Sequence, residues 1–100
     1  MNNRSRRTNP DSEMYRAILK LRTKEECYQF FLDLCTAAEL KAMEQRFEVA
    51  RLLDKGMIYG DILAETGASS ATISRVNRSL NDYGTGAYRE IFRRLEEEEK

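Results

Sequence analysis

A chain of 100 residues is sized for a single domain, because cores divide only beyond about 250 residues. Hydrophobic residues at 41% exclude a wholly disordered chain, and no run approaches the roughly 20 apolar residues of a membrane span or the apolar stretch of a secretory signal. A cytoplasmic protein without membrane contact is expected. The net charge of zero speaks against a uniformly basic nucleic-acid binder, yet the charge is sorted: Arg4, Arg6 and Arg7 stand in a tail without acids, Arg75 and Arg78 in an acid-free stretch from Ala68 to Asn81, and Glu96 to Glu99 at the far end.

Residues 1–10 show no apolar periodicity and read as a flexible basic arm, so folded structure is expected over 11–97. Met14, Ile18 and Leu21 line one face of a first helix ending near Arg22. Thr23 with Glu26 has the capping-box spacing and starts a second helix. Its apolar stripe is Cys27, Phe30, Phe31, Leu34 and Cys35. The cysteines lie about 12 Å apart along that helix, too far to pair, and without histidine they make no zinc site, so no metal is expected.

Thr36 with Glu39 repeats the capping spacing, and a long third helix should run from about Ala37 to Lys55, where Gly56 ends it. Leu40, Met43, Phe47 and Ala50 make one stripe, which Val49, Leu52 and Leu53 widen beyond what one subunit is expected to cover. A brief helix over Asp61 to Thr66 follows, then another from Ser69 or Ser70 to about Leu80. Tyr83 to Gly86 form a break. The last helix carries Tyr88, Ile91, Phe92 and Leu95 on one face, and its acidic end, 96–100, should fray because the helix dipole is already negative there.

The stretch 61–80 has the marks of a helix-turn-helix. Ala64 is small where two crossing helices must approach, Gly67 can supply the positive φ of the turn, and Ser69 or Ser70 can cap the second helix. Ile62 and Leu63, with Ile73, Val76 and Leu80, are expected to face inward. Outward lie Ser70, Ala71, Ser74, Arg75 and Arg78, with Ser69 and Thr72 near the helix start. Short side chains at that end let a helix approach base edges, where hydroxyls form hydrogen bonds and a methyl meets thymine, while arginines reach phosphate or guanine. These seven residues are the candidate DNA-binding set.

Residues from about Leu34 to Leu80 resemble the tryptophan repressor family, and the run from Gly67 to Arg75 resembles its YerC/YecD branch in particular. The resemblance implies an all-α fold of about six helices in an intertwined homodimer, which would cover the surplus apolar faces. It further implies a transcriptional regulator, acting as a repressor at a palindromic operator in double-stranded DNA. It also implies a possible effector site in which Arg46 and Arg75 match two ligand-clamping arginines, with Thr36, Thr72 and Ser79 matching polar residues around them. Val76 stands where the repressor has glycine, which disfavours L-tryptophan, so no cofactor is expected beyond a possible small-molecule corepressor of another kind. Gly60, Asp61 and Ala64 replace residues that include DNA-touching basic ones in the repressor, so the operator should differ. Lack of histidine and of a glycine-rich phosphate loop argues against an enzyme. The rival reading is a helical protein-interaction module that keeps the motif without binding DNA.

Overall fold

The computed structural model describes residues 7–99 and, over them, six helices and no strand. Residues 1–6 of the expected arm, with Arg4 and Arg6, lie outside the described residues, as does Lys100 at the end of the acidic segment. The chain divides into two compact units, Met1–Ala37 and Ala38–Lys100.

The first unit holds α1 (Glu13–Ile18) and α2 (Lys24–Leu34). The Ser12 hydroxyl accepts from the Met14 N–H and starts α1. The helix ends four residues before Arg22. Its last turn tightens instead: the Lys20 N–H donates to the Ala17 carbonyl and the Leu21 N–H to that of Ile18, three-residue bonds that use up the terminal acceptors. Arg22 belongs to the next cap. Thr23 accepts from the Glu26 N–H at 3.0 Å, while the Glu26 carboxylate reaches back past Thr23 to the Arg22 N–H at 2.9 Å. On α2 the Phe30 and Phe31 rings meet edge to face at 5.8 Å, and Cys27 and Cys35 are half-buried. No side chain of α1 or α2 is fully buried.

The second unit is built on α3 (Ala37–Asp54), α4 (Tyr59–Thr66), α5 (Ser70–Asn81) and α6 (Ala87–Glu99). Val49 and Ala50 of α3, Ile62 of α4, Ala68 of the turn, Ile73, Val76 and Leu80 of α5 and Phe92 of α6 form one buried cluster. Of the stripe expected on α3, Ala50 is inside, whereas Met43 and Phe47 stand 37% and 42% exposed. Gly56 ends α3 at φ +88°, a left-handed conformation that costs glycine nothing. Gly84 is needed for another reason, since a Cβ there would run into the carbonyl of Ser79.

Ionic contacts join α6 to α3. Arg51 pairs with Glu96 at 3.3 Å and lies 5.0 Å over the Phe92 ring, and Arg89 pairs with Asp54 at 3.5 Å. The expected fraying of 96–99 is not what the structure shows, because α6 runs to Glu99. Arg93 pairs with Glu90 one turn before it and with Glu97 of the acidic end one turn after it, and Arg51 holds Glu96. These cations offset the repulsion of the glutamates.

Candidate nucleic-acid interface

The helix pair α4–α5 forms because its turn is fixed from several sides. Gly67 takes φ +72°, and its N–H donates to the Leu63 carbonyl at 2.9 Å, closing α4 in the left-handed cap. The Thr66 hydroxyl donates to the Ile62 carbonyl at 2.7 Å and accepts from the Ala68 N–H at 3.1 Å. Ala68 is then buried against both helices. Ser69 caps α5: its hydroxyl accepts from the Thr72 N–H and donates to Thr72 Oγ1, both at 3.1 Å. The expected helix-turn-helix is thus present, with α4 beginning two residues earlier than Asp61.

Two inward assignments need correction. Leu63 is 46% exposed, because in so short a helix Ile62 alone points at the core and its neighbour is turned about 100° away. Ala64 is also exposed, and the small side chain that permits the close crossing is Ala68, 1% exposed. On α5 the inward face is as read from the spacing: Ile73 0%, Val76 2% and Leu80 9% exposed.

The opposite face of α5 presents Ser70, Ala71, Arg75 and Arg78, all exposed, with Thr72 and Ser74 half-buried beside them. Ser69 is placed as the helix cap, with its proton and one lone pair already engaged by Thr72. The first turn of α5 holds no acid, so the positive end of the helix dipole is left open. The arginines of the second unit divide by position. Arg51, Arg89, Arg93 and Arg94 are each paired with a carboxylate on the α3–α6 side, whereas among the described residues Arg46, Arg75 and Arg78 lie in no ion pair. Three guanidinium groups therefore face solvent on the side of α5.

Arg46 of α3 and Arg75 of α5 line one groove of about 250 Å³, together with Ala42, Gln45, Ala71 and Thr72. The structure brings these two arginines and Thr72 together. It does not bring Ser79 there. One turn beyond Arg75, Ser79 lines a different, apolar groove of about 360 Å³ with Phe47 of α3 and Tyr88 and Ile91 of α6. Thr36 belongs to the first unit and is exposed. Val76 does not line the arginine groove; its side chain is part of the buried cluster.

The sequence reading passed over Gln45, whose Nε2 donates to the Thr66 carbonyl at 3.3 Å. A signal for it existed: Gln45 stands four residues before Val49 on the inward side of α3, and a polar group on such a stripe needs a partner. Asn77, Asn81 and Arg89 were passed over too. Asn81 donates to Asn77 Oδ1 at 2.7 Å and accepts from Arg89, tying the end of α5 to α6.

A family model for the Trp repressor protein matches residues 12–96. The uncharacterized protein YerC of Bacillus subtilis (strain 168) is 52% identical over 87 residues, covering 87% of this chain and 83% of that one. Among solved structures, that of a candidate Trp repressor from Staphylococcus aureus superposes with a TM-score of 0.83 at 46% identity, covering 96% of this chain and 95% of the other. A TrpR-like protein from Eubacterium eligens ATCC 27750 does so with a TM-score of 0.80 at 52% identity, over 83% and 84% of the two chains. Both the sequence match and the six-helix architecture agree, and the chain belongs to the Trp repressor family.

Proposed function

We propose that this protein is a sequence-specific DNA-binding transcriptional regulator, acting as a repressor, that presents α5 to the major groove from a homodimer. The observation that carries this reading is the exposed face of α5, where Ser70, Ala71 and Ser74 are short enough to meet base edges and Arg75 and Arg78 carry charge that no carboxylate among the described residues neutralises. Phosphates would supply the missing counter-charge. A second copy is supported by apolar side chains left in water, including Leu19 at 82%, Ile58 at 67% and Tyr28 at 55% exposed. Two-fold symmetry then calls for a palindromic operator with half-sites about one turn, roughly 34 Å, apart, a geometry for which the Trp repressor itself is a type example.

DNA binding on this reading needs no cofactor. A small carboxylate, if it modulates binding, would sit between Arg46 and Arg75, whose guanidinium groups can pair with its oxygens. The zero net charge and the exposed Leu63 on α4 favour the rival, a protein-interaction module.

Salt titration of binding to duplex DNA separates the two. Affinity should fall steeply with salt, with a slope of about 0.9 per phosphate neutralised, and Arg75→Ala should reduce that slope by about one contact. Binding that ignores salt and is unmoved by Arg75→Ala would favour the rival. Selecting duplexes from a random pool, with and without amino acids, yields the operator, and sedimentation equilibrium should give twice the chain mass.

A further inference from the structure

We propose that Gln45 is a positioning residue for DNA recognition, its side-chain amide latching α3 to the end of α4 and so fixing the angle at which α5 is presented. This rests on the DNA-binding reading above. Thr66 is the last residue of α4, and a helix end leaves its carbonyls without partners inside the helix. Gln45 Nε2 supplies one, donating to the Thr66 carbonyl at 3.3 Å from a half-buried place on α3.

From Thr66 the connection is continuous to the reading face. Its hydroxyl donates to Ile62 within α4 and accepts from the Ala68 N–H, and Ala68 is followed at once by Ser69, the cap of α5. Gln45 also lines the groove that holds Arg46, Ala71, Thr72 and Arg75, so the latch lies beside the residues whose placement it controls. The apolar contacts of Ile62, Ala68 and Ile73 hold α4 and α5 against α3, but hydrophobic attraction is non-directional and tolerates small rotations. A hydrogen bond is directional, preferring an angle above about 150° and weakening steeply below about 120°. The latch therefore converts a packed pair of helices into an oriented one.

Two variants test this. Gln45→Met keeps the length of the side chain and removes the donor, and Gln45→Glu keeps the shape but sets a carboxylate against the Thr66 carbonyl. Affinity for the selected operator is measured against affinity for random duplex at the same salt, and amide hydrogen exchange is followed in the free protein. The ratio of the two affinities should fall about 3- to 10-fold, the weight of one hydrogen bond, and further for Gln45→Glu than for Gln45→Met. The salt slope should stay put, because no phosphate contact is removed. Exchange at Gly67 and Ala68 should speed up by a similar factor while Val49 and Phe92 keep their protection. A purely structural role would lower both affinities together with the folded fraction, and that result would overturn the proposal. Unchanged ratio and unchanged exchange in both variants would overturn it as well, while leaving DNA binding intact. A wild-type protein that prefers no duplex over another would overturn both readings.

Discussion

Residues 7–37 and residues 38–99 are built from similar material and reach opposite outcomes. Both are helical, and both carry apolar stripes at helical spacing with side-chain caps at Ser12, Thr23 and Ser69. Yet every fully buried side chain among the described residues belongs to the second stretch, and none to α1 or α2. The second stretch closes because four helices meet at one point, so that Phe92, Ile62, Ile73 and Val49 are covered from all sides. Two short helices cannot do that. An amphipathic stripe is therefore only half a core, and the first stretch holds faces that need a partner from outside its own helices.

The comparison can be broken first at the closed core. Phe92→Ala removes a ring that is 1% exposed and packs edge to face on Phe47 at 5.4 Å, and should destabilise the protein by about 3–5 kcal/mol in chemical denaturation. A cost near zero would mean that the second stretch is not the main core. The open faces are sharpened by Leu19→Ser. A side chain 82% exposed in one chain should matter little to the monomer, but if a second copy covers it the dimer should lose about 1.5–3 kcal/mol per protomer. A dimer dissociation constant raised by the corresponding factor in sedimentation equilibrium of Leu19→Ser would show this; an unchanged constant would place Leu19 outside the dimer contact.

The smallest effect concerns pH. The hydrogen bonds from Arg93 and then Arg94 hold the Glu90 carboxyl at about 2, below its ordinary 4.5. A depressed carboxylate contributes stability that is complete above the unfolded value and is lost as pH falls through the folded one. Glu90→Gln should therefore flatten the pH dependence of stability between about 4.5 and 2, and the exposure of the group keeps the effect small. A carboxyl titrating at its ordinary value by NMR would show that these α6 ion pairs do not persist in solution.

Much of the site is legible in the sequence. A serine cap at 69 or 70, the left-handed Gly67 and the inward set Ile73, Val76 and Leu80 all follow from residues within a few positions of one another, and the structure puts the cap at Ser69. Leu63 was misread because eight residues of α4 give too few turns for periodicity to fix which of two adjacent apolar residues faces in. That Ser79 lines a groove apart from Arg46 and Arg75 was not legible, because α6 joins the surroundings of α5 one turn further along. The acidic end of α6 was expected to fray because Arg51, far off in sequence, was not known to reach Glu96.

By itself the sequence determined the helices, their caps, the exposed face of α5 and the resemblance to the family that the comparisons show. Only the tertiary structure decided which arginines are neutralised, which grooves Arg46 and Ser79 line, and that Gln45 holds the end of α4. The division has a physical cause. Caps, turns and helical stripes arise from interactions over three or four residues, whereas pairing and burial depend on which helix lies opposite, a matter settled only when distant segments compete for the same core.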